Sequence, residues 1–126
     1  MQTIGIDIGS TSVKVVGLDG AEVRWHEVVA HEGAIPETLL AILERHGVDG
    51  GPPAVATGNA GRRQVRCAQA IPPLAIEAGL RARSLRADAV VCLGGESLAV
   101  YTLAPDGRIL NTLTGDKCAA GTGEFF

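Results

Sequence analysis

Short β-branched, apolar runs separated by glycine and polar turns open the chain. "TIGIDIG" (residues 3–9) has the composition of a strand covered on both faces, and Gly9-Ser10-Thr11-Ser12 then supplies a tight turn. "SVKVVGLD" resumes the strand pattern, and after Asp19-Gly20 "EVRWHEVVAH" continues it, so residues 3–31 predict three antiparallel strands joined by short hairpins. The period then changes. Ile35, Leu39, Ile42, Leu43 and His46 recur at helical spacing, with Pro36 in the first turn and Gly47 just past the end. "GVDGGPP" breaks the chain, and "AVAT" predicts a short strand ending at Gly58-Asn59-Ala60-Gly61. Residues 70–86 predict a second helix over Leu74, Ile76, Ala78 and Leu80, interrupted at its start by Pro72-Pro73. "DAVVCL" reads as a buried strand, Gly94-Gly95 as a turn and "ESLAVYTLA" as a strand; Pro105-Asp106-Gly107 turns back into "RILNTLT". The order predicts one mixed sheet with helical crossovers and no internal repeat.

At 126 residues, 46% hydrophobic, with a mean hydropathy of +0.22, the chain buries one core, about two thirds of its unfolded surface by size scaling. Aromatic residues make up only 3%, so the core is built from Val, Ile, Leu and Ala, which suits a sheet flanked by helices. The layout is ribonuclease H-like α/β, expected as a single lobe over residues 1–126. A net charge of −3 and a pI near 5.5 argue against nucleic acid or an anionic membrane as the main partner. Arg62, Arg63, Arg66, Arg81, Arg83 and Arg86 cluster without interleaved aromatics and read as solvated helix faces. Cys67, Cys92 and Cys118 are odd in number and widely spaced, which speaks against a disulfide scaffold and for a reducing cytoplasm. Asp7 stands where a signal peptide is apolar, and no apolar run approaches the roughly 20 residues of a membrane span.

Two turns carry candidate chemistry. "DIGSTSVK" (7–14) and "LGGES" (93–97) each join strand to strand through glycine and small hydroxyl residues, and such turns bare successive N–H groups that attract phosphate oxygens. Gly9, Ser10, Thr11 and Ser12 form the first array and Gly94 and Gly95 the second. Asp7, at the end of a buried strand, suits a hydrated Mg²⁺ beside phosphates, and Lys14 adds a positive charge. The plain alternative is an ordinary hairpin at each place. Trp25 and His26 read as packing or exposed positions, Glu77 as solvated, and Cys67 and Cys92 as inert thiols.

An Asp-headed strand-turn-strand, repeated later as a glycine turn, resembles the actin-like and sugar-kinase ATPase superfamily, in which two hairpin turns grip the β and γ phosphates. "DKCAAGTGEFF", with "GIDIGSTSVKVV" and "ATGNAGRR", resembles the activator ATPases of 2-hydroxyacyl-CoA dehydratases and the related ATPase subunits of benzoyl-CoA reductases. The resemblance implies the N-terminal lobe of an ATPase that binds ATP and Mg²⁺. Cys118 would ligate a [4Fe–4S] cluster shared across a homodimer, whose second cysteine per subunit lies further along, so the chain is expected to be a fragment or one lobe. Gly121 and Gly123 would let the nucleotide approach the backbone. Electrons would pass from reduced ferredoxin or flavodoxin to an acyl-CoA dehydratase or reductase component. The second turn of that family reads Asp-Ile-Gly-Gly-Gln-Asp, whereas Cys92 and Ser97 occupy its acidic positions here, which implies weakened hydrolysis with phosphate binding kept. The alternatives are a sugar or carboxylate kinase lobe with Cys118 as an ordinary residue, or a non-catalytic domain of the same fold.

Overall fold

A computed structural model describes residues 1–95 and 97–116, which fall into two compact units, one over Met1–Pro72 and the other beginning at Pro73. In the first, β1 (Gln2–Ile8), β2 (Ser12–Asp19) and β3 (Glu22–Ala30) form the antiparallel meander expected. The helix α1 (Ile35–Arg45) leads to β4 (Ala54–Thr57), which lies parallel to β1, and a short β5 (Ala68–Gln69) lies parallel to β4. The sheet order is β3-β2-β1-β4-β5.

The pleat decides which side is buried. Ile4, Ile6 and Ile8 point into the core, where Ile6 stands between Val15 and Ala56 and Ile8 opposite Val13; Leu39 and Ile42 of α1 cover them. The first strand is therefore buried on one face, not both: Gly5 and Asp7, on the other face, are half-exposed. Helix α1 ends in a Schellman closure. Gly47, at φ 61°, donates to the Glu44 carbonyl, and the Val48 N–H donates to Leu43 at 3.0 Å. The end of α1 is pinned to the edge strand by Glu27, which accepts from Arg45 at 2.6 Å and from His46 at 2.8 Å. Trp25 stacks on His46 with ring centroids 3.9 Å apart and lies across Gly17, where any Cβ would strike the indole.

In the second unit α2 (Pro72–Ala82) precedes β6 (Ala89–Leu93), β7 (Ser97–Leu103) and β8 (Ile109–Asp116), an antiparallel sheet ordered β6-β7-β8. Four expectations change here. The proline pair starts α2 instead of interrupting it, because the first turn of a helix needs no N–H from it. The helix stops at Ala82, closed by Ser84 in a left-handed conformation (φ 51°) with Leu85 N–H donating to the Leu80 carbonyl. The "DAVVCL" strand alternates between half-buried and exposed positions and is not buried throughout. Glu77 is not merely solvated; its Oε1 accepts from the Ile109 N–H at 2.6 Å and ties α2 to β8.

The strands also divide into two sheets where one was expected. The short β5, which the sequence pattern did not reveal, forms the edge of the first sheet beside β4, and β6, β7 and β8 pair only with one another among the described residues. An internal repeat is present as well. Both meanders turn through a glycine that donates to the carbonyl of a serine three residues on, Gly9 to Ser12 and Gly94 to Ser97. Both break register at matching places, between Gly17 and Leu18 and between Thr102 and Leu103.

Candidate functional site

The parallel strands β1 and β4 end side by side, the position at which open α/β sheets bind ligands. Asp7 is in register with Thr57 on β4 and with Lys14 on β2, so Lys14, Asp7 and Thr57 form one row on one face. Lys14 Nζ lies 3.4 Å from Asp7 Oδ2, with both side chains nearly half exposed. At that exposure the pair stabilises the fold by no more than about 1 kcal/mol, and both groups are accessible to a charged ligand. The half-exposed carboxylate also removes the burial cost expected for Asp7. Thr57 was not singled out from the sequence: its Oγ1 is buried and has no hydrogen-bond partner among the described residues. Its signal was faint, a threonine at the end of "AVAT" directly before Gly58.

The turn beyond Asp7 is bonded in an unusual way. Gly9 N–H donates to the Ser12 carbonyl at 2.9 Å, but the Gly9 carbonyl does not take the return bond of a two-residue hairpin. Instead it receives the ring of His31 at 2.9 Å, while the Thr11 carbonyl receives the His31 backbone N–H at 3.1 Å. Ser10 and Thr11 are exposed, and no acceptor among the described residues takes the N–H of either. A Cβ on Gly9 would stand 3.0 Å from Lys14 Nζ and 3.3 Å from the Ser12 carbonyl, so glycine keeps this corner open to the lysine.

A second loop supports the turn from beneath. Gly58 (φ 113°) and Gly61 pass so close to Ile8 that a Cβ on either would overlap its carbonyl oxygen. Arg62 holds this loop by donating to the Gly58 carbonyl at 2.8 Å and to the Asn59 carbonyl, so it is a local clamp and not a solvated helix face. The "ATGNAGRR" stretch thus acts as a platform for the end of β1.

In the second unit, Gly94 N–H donates to Ser97 at 2.8 Å, and a Cβ on Gly94 would meet Ser97 Oγ at 2.9 Å. Cys92 lies on β6 opposite Ala99; burial chiefly, with a smaller electrostatic contribution from Cys92, holds the Tyr101 phenol above its ordinary range. Gly95 lies in the same turn, whereas Glu96, Cys118, Gly121 and Gly123 lie outside the described residues. Cys67 is half-buried against the first core, as expected of a packing thiol. Among the described residues no three His, Cys, Asp or Glu side chains gather as a metal-ligand group. No helix among them is long and apolar enough to cross a membrane.

No family model matches the chain. It is 33% identical to a 2-hydroxyisocaproyl-CoA dehydratase activator of Clostridioides difficile over 132 residues, covering 99% of this chain and 50% of that protein. The solved structure of an activator of the 2-hydroxyisocaproyl-CoA dehydratase from Clostridium difficile, with bound ADPNP, superposes with a TM-score of 0.77 at 31% identity, over 99% of this chain and 49% of that one. The Acidaminococcus fermentans (R)-2-hydroxyglutaryl-CoA dehydratase component A gives the same TM-score at 26% identity, over 99% of this chain and 51% of that one. The chain spans about half the length of the curated relatives it matches.

Proposed function

We propose that this chain, a relative of the 2-hydroxyacyl-CoA dehydratase activators that shares the actin-like ATPase fold, is the nucleotide-binding portion of an ATP-dependent activator. The observation that carries the reading is the row of Lys14, Asp7 and Thr57 beside a glycine turn with two unclaimed N–H groups, in a chain related to a protein solved with ADPNP. The residues fit MgATP. The Ser10 and Thr11 N–H groups and the Lys14 ammonium offer donors to phosphate oxygens, and the Asp7 carboxylate offers a hard oxygen to Mg²⁺ or its water shell. Thr57 would complete that water shell from the neighbouring strand. The Gly94–Gly95 turn, built on the same plan, is read as a second phosphate turn. With Cys92 and Ser97 in place of the acids carried by the resembling family, hydrolysis is expected to be slow and binding retained.

The finer reading adds a [4Fe–4S] cluster held by Cys118 with a second subunit, which would supply one-electron chemistry toward an acyl-CoA dehydratase or benzoyl-CoA reductase-type component. Reduced ferredoxin or flavodoxin would be the donor and the cytoplasm the setting. The described residues offer no ligand set for that cluster, so this part rests on the Cys118 motif alone.

Calorimetry of the protein with ATP, with and without Mg²⁺, tests the nucleotide reading. Saturable, Mg²⁺-dependent binding is expected, weakened about tenfold or more in Asp7→Asn and Lys14→Ala, the range for losing a charged contact. Binding that ignores Mg²⁺ and both substitutions would sink it. For the cluster, anaerobic reconstitution should give visible iron–sulfur absorption that Cys118→Ser removes; equal absorption in the variant would refute the assignment.

A further inference from the structure

We infer that His31 is the positioning residue of the phosphate turn: as a neutral imidazole donating from Nε2 to the Gly9 carbonyl, it aims the Ser10 N–H outward toward a phosphate oxygen. The inference rests on the nucleotide reading above and assigns a role to a histidine that sequence reasoning left unremarked at the end of "EVRWHEVVAH".

The tautomer follows from its partners. The Gly33 backbone N–H lies 3.0 Å from Nδ1 and can only donate, so Nδ1 is the acceptor. The ring proton therefore sits on Nε2, 2.9 Å from the Gly9 oxygen, which can only accept. The ring has little freedom to do otherwise: His31 is 7% exposed. Its own carbonyl accepts from Ala34 N–H at 2.7 Å across Glu32 (φ 50°) and Gly33 (φ 85°), a tight turn with both central residues left-handed. That turn is what swings the Gly33 N–H onto the ring.

The consequence for the phosphate turn comes from peptide planarity. No peptide among those described is cis, and across a planar trans peptide the carbonyl and the following N–H point in opposite directions. With the Gly9 carbonyl held on His31, the Ser10 N–H must point away from it. An ordinary two-residue hairpin would spend the Gly9 carbonyl on Ser12; the histidine diverts it, and the His31 backbone fixes the Thr11 carbonyl as well.

Three variants of the full protein separate positioning from folding. His31→Gln keeps a donor at the distance of Nε2, His31→Asn keeps only an acceptor for Gly33, and His31→Phe keeps neither. Calorimetry with MgATP should show about a tenfold loss of affinity for Asn and Phe, and Gln within about twofold of the parent, the scale of one well-placed hydrogen bond. Thermal midpoints should rank differently, with Asn closer to the parent than Phe. In parallel, long-range proton–nitrogen spectra of the ¹⁵N-labelled parent, without nucleotide, should show His31 protonated on Nε2 and bare on Nδ1. Parental affinity in His31→Phe, or a proton on Nδ1, would overturn the inference. Failure of the unaltered protein to bind MgATP would instead sink the nucleotide reading and leave the His31–Gly9 bond to be decided by the ring spectrum.

Discussion

Among single residues, Thr57 carries the sharpest test, because its buried hydroxyl has no partner among the described residues. A buried, unbonded hydroxyl costs roughly 1–3 kcal/mol, and on the nucleotide reading the water shell of Mg²⁺ beside Asp7 would supply its partner. Thr57→Val is expected to raise the urea midpoint, by about 1 kcal/mol of stability, while weakening MgATP binding several-fold. A variant that loses stability and keeps its affinity would assign the hydroxyl to packing. Gly58 tests the platform beneath the turn: at φ 113°, with the Ile8 carbonyl where a Cβ would go, Gly58→Ala should cost several kcal/mol, read as a lowered midpoint or a failure to fold. Residues such as these mark the limit of what the sequence disclosed. Asp7, Gly9 and Lys14 stand out in the sequence as candidates because charge and glycine in a turn have a local meaning. Thr57 and His31 do not, because the roles proposed for them depend on which strand lies beside them and on one backbone N–H two residues away.

Secondary elements were more legible than sites, since period and caps are written locally. The three-strand meander and α1 follow from Ile and Val spacing and from Pro36 and Gly47. β5 escaped because two residues carry no period, and the division into two sheets escaped because strand period does not say which strands pair. The end of α2 escaped because its closing residue is Ser84 and not glycine. That exception predicts a gain: Ser84→Gly removes left-handed strain and should stabilise by roughly 0.5–1 kcal/mol, measured by the denaturation midpoint. At the other helix, Arg45 chiefly, with His46, holds the Glu27 carboxyl below its ordinary range, against an opposing desolvation effect. A depressed carboxyl contributes stability that is full above its unfolded value of about 4.5 and fades as pH falls through the lower folded value. Glu27→Gln should therefore be less stable than the parent near neutrality, with the gap closing on acidification. A gap constant with pH would show that the Glu27 contacts do not depend on its charge.

Over the whole molecule, the same glycine-to-serine turn recurs in both units, although the residues at the strand ends differ: Asp7 in the first, Cys92 in the second. MgATP at a hundredfold excess over its dissociation constant should stabilise the fold by about 2.7 kcal/mol, seen as a raised melting temperature that Asp7→Asn largely abolishes. The chain also contains one tryptophan, held flat between Gly17 and the imidazole of His46. Intrinsic fluorescence is thus a single-site optical gauge of the joint between β3 and α1. A titration whose emission stays constant while heat is released would place the ligand's influence elsewhere, and a change in colour would report that the helix had shifted on its strand.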